Sequence, residues 1–400
     1  MSGTAKPVAG FFRGLGRNVV GTGFVSLLMD MSSEMIYPLV PIFLSSVLGV
    51  SKSVIGLIEG IAEATAGILK TYSGWLSDRT RKRKALMIAG YSTSTLSRPV
   101  IALAGAWHQV LASRFLDRTG KGIRGAPRDA LIAESTDHRQ MGRAFGVHRM
   151  MDTMGAVIGP LIASAILAAS SSDYRLVFWC SIIPGALAVL TIIFFIRETP
   201  HAAGSRPAPP RLSLRAFDFR YKAFLFVVTV FMAGNSSDVF LILKASAVGV
   251  QAAAIPIVYF CFNMVYALTA MPAGLLADRI WAERVILAGF VLFAAVYYGF
   301  GLASTQAQVW ALFMAYSVFM GITEGVHKAY IARLAPEGQK ATAFGVYNMM
   351  TGFALLPASV IAGWLWDKYG PQATFWFGSG MALISAVMFA LLCLMPKRDR

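Results

Sequence analysis

The sequence predicts an all-α membrane protein whose twelve transmembrane helices form two pseudo-symmetric six-helix bundles, and three observations carry that prediction. Of its 400 residues, 56% are apolar and only 14% charged, with a mean hydropathy of +0.61, an apolar excess outside the range of soluble domains. Apolar stretches of about twenty residues, each long enough to cross the hydrocarbon core as a helix, recur along the whole chain. The two halves also echo each other at an offset of about two hundred residues, as a duplicated unit does. Gly74, Asp78 and Arg79 return as Gly274, Asp278 and Arg279, and Ser32, Ser33 and Glu34 as Ser236, Ser237 and Asp238. Ala144, Phe145 and Gly146 return as Ala343, Phe344 and Gly345, and the pair Met150 and Met151 as Met349 and Met350.

The spans fall near 18–44, 53–74, 85–104, 109–133, 144–168 and 174–196, then 222–247, 252–276, 285–303, 308–333, 342–366 and 372–395. The domain plan is therefore a tail over 1–17, a bundle over 18–196, a linker over 197–221, a second bundle over 222–395 and a tail over 396–400. Lys and Arg number 36 against 20 Asp and Glu. They collect in alternate connections, so the positive-inside rule puts both termini and the linker in the cytoplasm of a multi-pass protein of the cell (inner) membrane. The basic balance thus reads as topology, and no nucleic-acid partner is expected. Cys180, Cys261 and Cys393 fall in apolar segments without CxxC spacing, which argues against disulfides and a thiol metal site. With no P-loop, metal-ligand cluster or nucleophile–base pair, neither an enzyme nor a cofactor is expected. The first span serves as an uncleaved insertion signal.

In the first span Asp30 and Glu34 stand four residues apart on one helical face beside Ser33. Ionisable groups at that depth are costly and face a cavity or a partner, so they read either as substrate or proton sites or as salt-bridge partners of the fourth span. Tyr37, Pro38 and Pro41 break or bend the outer end. The second span carries Glu59, Glu63 and Lys70 as a stripe, for packing and gating or for ligand, with Gly60, Gly67 and Gly74 suited to close helix approach. After it comes GWLSDRTRKRK, in which Asp78 is placed to accept from the amino end of a neighbouring helix or to pair with Arg79 and Arg83 as a latch. Arg98, deep in the third span, needs a carboxylate, with Asp30, Glu34 and Asp152 as candidates.

The fourth span, SRFLDRTGKGIRGAPRDALIAES, sets Arg114, Arg118, Lys121, Arg124 and Arg128 in one stripe on a helix loosened by Gly120, Gly122, Gly125 and Pro127. Arg forks suit carboxylate or phosphate, so Arg118, Lys121 and Arg124 are candidate contacts to an anionic substrate. Alternatively Asp117, Asp129 and the acids of the first span neutralise the stripe, with Arg128, Asp129 and Glu134 in a cytoplasmic latch. In the fifth span His148 and Asp152 share a face, and Asp152 is either a protonation site or the partner of Arg98 or Arg149. Gly155, Gly159 and Pro160 make a thin, kinked packing surface. The second half is poorer in charge, keeping Asn235 and Asp238 in its first span, Asn263 and Tyr266 in the next, and Glu324, His327 and Lys328 where the first half has its Arg stripe. One wall of a central site is then ionic and the other polar and aromatic.

The phrase Gly74-x-Leu76-x-Asp78-Arg79-x-x-x-Arg83-Lys84 between the second and third spans, its degenerate copy at Gly274, Asp278 and Arg279, and the G-x-x-x-G-P pattern of Gly155, Gly159 and Pro160 resemble the major facilitator superfamily of secondary transporters. The resemblance covers nearly the whole chain. It departs from the antiporter branches at Ala163 and Ser164, where a Gly pair follows the Pro, and the fourth span matches the family's Arg-bearing motif only loosely. The resemblance implies a monomer working by alternating access, with a midplane site lined by the first, fourth, seventh and tenth helices and the second helix between the halves. It implies a conformational role for Gly74, Asp78, Arg79 and Arg83 in the loop. The chain then reads as a secondary transporter of a small organic solute, anionic or amphiphilic, coupled to protons through its buried carboxylates and His148 and His327. The substrate- and proton-binding set is Asp30, Glu34, Arg98, Arg118, Lys121, Arg124, Asp152, Asn235, Asp238 and Glu324. The Gly–Pro pattern leans towards export by antiport. Uptake of an organic anion or metal chelate is the alternative, and a transport-inactive sensor or scaffold the alternative of a different class.

Overall fold

The computed structural model describes residues 16–137, 140–198, 217–279, 282–335 and 340–395, with side chains described at all of these except 71, 270–279, 324, 340 and 341. Most of the expected tails and linker lie outside the described residues. So do the side chains of Asp278, Arg279 and Glu324 and the surroundings of Gly274. Among the described residues there are twelve helical rods and no strand: α1 (Arg17–Val47), α2 (Lys52–Thr80), α3 (Arg83–Ala102), α4 (Trp107–Glu134), α5 (Met141–Ala169), α6 (Tyr174–Phe195), α7 (Phe219–Ala247), α8 (Ile255–Arg279), α9 (Ala282–Leu302), α10 (Gln306–Leu334), α11 (Lys340–Tyr369) and α12 (Pro371–Leu394). Eight of them, α1, α5, α6, α7 and α9 to α12, are apolar and long enough to cross a membrane. The rods α2, α3 and α4 are polar for a reason that lies in the site, and the apolar part of α8 is Ile255–Thr269.

Local chemistry explains where the rods bend. Pro38 and Pro41 lack the N–H that would bond to the carbonyls of Glu34 and Tyr37, and the regular helix of α1 stops at Ile36, passes through a turn and ends in a π-helical stretch over Phe43–Val47. In α7 the helix stops at Gly234 and restarts at Val239, so that Asn235 to Asp238 form the break. At the end of α2, Arg81 takes the left-handed conformation (φ 54°) that turns the chain directly into α3.

The packing repeats with the sequence. In the first half α1 lies on α5 and α6, α2 on α4, and α3 on α4 and α6. In the second, α7 lies on α11 and α12, α8 on α10, and α9 on α10 and α12. The halves meet along two seams that the repeat interchanges, α2 with α11 and α5 with α8, of which the first is the most extensive contact in the fold. It is a backbone-to-backbone contact. A Cβ added at Gly56 would strike the carbonyl of Ser359, and one at Gly363 the carbonyl of Lys52. Gly60 and Gly67 sit in the same seam, whereas Gly74 has only Ala126 at an ordinary 3.6 Å.

The start of α1 at Arg17 and the helix ends at Thr80, Glu134 and Phe195 share one face, here the terminal face, tied by Asn18 to Ser135 (2.9 Å) and to the carbonyl of Arg197 (3.0 Å). The described contacts between halves lie mid-bundle and towards the opposite face. There Asp367 at the end of α11 accepts from the N–H groups of Lys52 (3.0 Å) and Ser53 (2.8 Å) and from the Ser53 hydroxyl (2.6 Å). A carboxylate on the first turn of a helix meets unpaired N–H groups and the positive end of the dipole. Ser164 also reaches the carbonyl of Ala253 (2.6 Å), and Tyr37 packs on Tyr259 (5.4 Å between centroids). The second half is cored by aromatic rings, with Phe231 against Phe290 and Phe293, and Phe293 against Tyr297 and Phe319.

Candidate functional site

Five cations within a helix or two of one another, in a bundle built to sit in hydrocarbon, need counter-charges. On α4, Arg114 and Arg118 are four residues apart, and on α2 so are Glu59 and Glu63, so the two packed helices present matching pairs. Arg114 donates Nε and Nη2 to the two oxygens of Glu59 (2.8 and 2.7 Å), a bidentate fork with both partners buried. Arg118 Nη2 meets Glu63 Oε1 at 2.8 Å. The ring of Tyr37 lies under both guanidinium groups, at 5.5 and 5.8 Å, close enough for cation–π attraction.

Arg98 on α3 pairs with Asp117 of α4 (3.1 Å) and donates to Ser33 of α1 (2.8 Å). This corrects the expectation that Asp30, Glu34 or Asp152 would hold it. The cause is the tight α3–α4 packing, in which Gly90 and Gly120 approach backbone to backbone. The expectation that Asp129 and the acids of the first span would neutralise the stripe is corrected too. Glu59 and Glu63 of α2 do so with Asp117, and Asp129 pairs with its neighbour Arg128 (2.9 Å).

Two cations are left over. Arg124 donates to the Ser94 hydroxyl (2.5 Å) and lies 4.7 Å from the ring centre of Tyr91. Lys121 is exposed and has no ion-pair partner within 4 Å among the described residues. Both line a cavity of about 200 Å3 that is also bounded by Asp30, Glu34, Arg118 and Tyr259. Asp30 is within electrostatic reach of Lys121 and Arg124, and Glu34 of Lys121 and Arg118. Glu34 Oε2 is buried without a hydrogen-bond partner.

Asp30 lies beside Asp152 of α5, carboxyl group facing carboxyl group. Carboxylates only accept, so the two can bond to each other only when one of them carries a proton. Asp152 also accepts from Arg149 Nη1 (3.1 Å), whose Nη2 donates to the Tyr266 hydroxyl of α8 (3.3 Å) across the seam. Ser26 joins His148 Nε2 (2.7 Å) to Arg128 Nη1 (3.2 Å) beside this pair. Gly155 and Gly159 bring α5 against the α1 backbone at Leu27 and Met31, which is what lets Asp152 reach Asp30, and Pro160 is buried in the same packed stretch.

The remaining expected residues lie elsewhere. Asp238 accepts from the Tyr316 hydroxyl (2.7 Å) at the α7 break, and Asn235 contacts Met232 Sδ (3.7 Å); neither is among the described residues that bound the cavity. At the terminal face Arg83 Nη2 bridges Asp78 (3.3 Å) and Glu134, while Glu198 accepts from the N–H groups of Arg83 and Lys84 (3.0 Å each). Arg79 lies over Trp75 (5.2 Å). This knot binds α2, α3, α4 and the end of α6 within one half. The sequence reading did not assign Tyr37 to the α4 guanidinium groups, Tyr259 to the cavity, or Glu198 to the knot. The i, i+4 match of Glu59 and Glu63 to Arg114 and Arg118 is the signal that points to the first two ion pairs.

Known proteins bear on the whole chain. The Major Facilitator Superfamily model matches residues 22–244 and again 223–400. An uncharacterised MFS-type transporter of Methanocaldococcus jannaschii is 34% identical over 386 residues, covering 95% of this chain and 96% of its own. The multidrug resistance protein MdtH of Edwardsiella ictaluri is 23% identical over 348 residues, 86% of this chain and 85% of that one. The crystal structure of a POT family transporter in complex with 5-aminolevulinic acid superposes with a TM-score of 0.80 at 14% identity, over 95% and 96% of the two chains. This chain, a multi-pass membrane transporter, belongs to the major facilitator superfamily.

Proposed function

We propose that the protein carries a small organic anion through the membrane by alternating access, together with a proton. The observation that supports this best is the pair of cations left without carboxylates, Lys121 and Arg124, facing Asp30 and Glu34 across the cavity. Lining the cavity, Arg114, Arg118, Lys121 and Arg124 stand against Asp30, Glu34, Glu63 and Asp117, four against four. A proton held on Asp30 beside Asp152 leaves one positive charge in excess. An anion entering that site neutralises it, and loss of the proton frees Asp30 to hold Lys121 and Arg124 instead. Both the loaded and the emptied cavity are then neutral, which is the cheapest condition for a charged site to change sides in a low dielectric. Anion and proton therefore travel the same way. The terminal face is cytoplasmic in this reading, because the basic connections gather there, and the α2–α11 seam is the closed gate on the far side. The protein works as a monomer. A second reading, export by exchange for protons, is favoured by Gly155, Gly159 and Pro160 and by the likeness to a multidrug resistance protein.

The test is transport in liposomes holding the purified chain, with a pH dye inside and a panel of organic anions, phosphorylated compounds and lipophilic cations outside. An added anion should acidify the lumen, and Asp30→Asn and Lys121→Gln should each cut that signal by about tenfold or more. Lumenal alkalinisation on addition of a substrate would favour exchange. Movement of only lipophilic cations, or anion flux without any proton movement, would overturn the proposal.

A further inference from the structure

A second hollow, of about 450 Å3, lies between α1 and α6 near the terminal face. Its walls are Val20, Phe24 and Leu28 of α1 and Thr191 and Phe195 of α6, with Arg17 at its mouth. Phe24, Phe194 and Phe195 are roughly half exposed or more, as residues facing lipid are. Arg17 donates Nε to the Phe195 carbonyl (3.0 Å) and Nη2 to the Phe194 carbonyl (3.1 Å), with its guanidinium 5.7 Å from the Phe195 ring centre. Lys84 Nζ donates to the carbonyl before these, that of Ile193 (2.8 Å).

Two cations on three successive carbonyls cap the negative end of α6, and that is reason enough for their position. It does not use them up. A guanidinium has five N–H donors and an ammonium three, and neither residue has an ion-pair partner within 4 Å among the described residues. The acid of this corner, Glu198, is held by the N–H groups of Arg83 and Lys84. The result is a fixed, uncompensated cation, Arg17, at the mouth of an apolar groove, with Lys84 bound to the same helix end.

We propose that this groove seats one anionic phospholipid, with its phosphate on Arg17 and Lys84 and one acyl chain along α1 down to Leu28. The length agrees: eleven residues of helix from Arg17 to Leu28 span about 16 Å, close to the roughly 15 Å that one leaflet contributes to the hydrocarbon core. The groove thus runs from headgroup level to the midplane and ends two residues, about half a turn, short of Asp30. A lipid lodged there braces the α1 segment that carries the carboxylate pair.

Native mass spectrometry tests the idea on the delipidated full chain, offered equal amounts of dioleoyl-phosphatidylglycerol and dioleoyl-phosphatidylcholine. One tightly held phosphatidylglycerol is expected, preferred by about fivefold for each cation near the surface. Arg17→Gln should lower that preference by about fivefold. Thr191→Trp, which keeps the charges and fills the groove, should abolish retention of the tightly held lipid. Lys84→Gln stands in, with the same expectation, if Arg17→Gln does not fold. Equal retention of the two lipids, undiminished retention in Thr191→Trp, or displacement by glycerol phosphate alone would each overturn the proposal.

Discussion

Glu59 and Arg114 show how residue-level chemistry sets what this bundle tolerates. Both are buried, and their two hydrogen bonds of 2.8 and 2.7 Å balance a desolvation cost that neither charge could meet alone. Removing Glu59 leaves Arg114 only the longer contact to Asp117 (3.8 Å), so Glu59→Gln should lower stability by about 3 kcal/mol, read as a fall in the thermal midpoint in detergent. The double variant Glu59→Gln with Arg114→Met should recover most of that loss. A double variant as unstable as the sum of the two singles would show that the fork is not the source. The same helix contains the opposite case in Lys121, a cation that no carboxylate holds. Helical spacing alone makes the stripe of cations on α4 legible. Which of them are spent on structure depends on the neighbouring helix, which brings Glu59 and Glu63 to Arg114 and Arg118.

At the scale of elements, α2 and α11 form the seam that closes the opposite face in the proposed cycle. Asp367 seats its carboxylate on the first turn of α2, and Gly56 and Gly363 let the two backbones touch. Hydrogen bonds to a charged group contribute about 1.5–3 kcal/mol each, enough together to bias which face is shut. Asp367→Ala should therefore populate an open opposite face. Spin labels at residues 50 and 368, measured by double electron–electron resonance, should show one short distance in the parent and an added longer one in the variant. An unchanged single distance would place the clasp outside the gate. The glycines of α2 are readable as contact points from their spacing, but their partner is not. Nothing in the order of the chain says that residue 56 will meet residue 359, because the duplication predicts only what happens within each half.

At the scale of the whole molecule, the two halves share one plan and divide the work, ions in the first and aromatic rings in the second. If proton and anion bind together, apparent affinity for the anion should rise as pH falls, because the proton on the Asp30–Asp152 pair supplies the positive excess. As pH rises and that proton leaves, Asp30 competes for Lys121 and Arg124 and affinity should fall. Asp152→Asn, which holds its own protons at every pH, should flatten the profile. Binding of a labelled anion to purified protein from acidic to alkaline buffer checks this, and an affinity that rises with pH would reverse the coupling.

The sequence by itself determined the membrane class, the duplicated plan of two six-helix bundles, the alternation of basic connections and the family likeness. These follow from composition, span length and internal repetition, which are local or periodic properties that survive without knowledge of contacts. Only the tertiary structure decided that Arg98 belongs to Asp117 and not to the acids of α1, that Glu59 and Glu63 consume Arg114 and Arg118, and that Asp30 meets Asp152. The physical reason is the same for each. A buried charge takes the counter-charge that helix packing brings within about 3 Å, and that distance is set by where glycines allow backbones to close, between residues far apart in the chain.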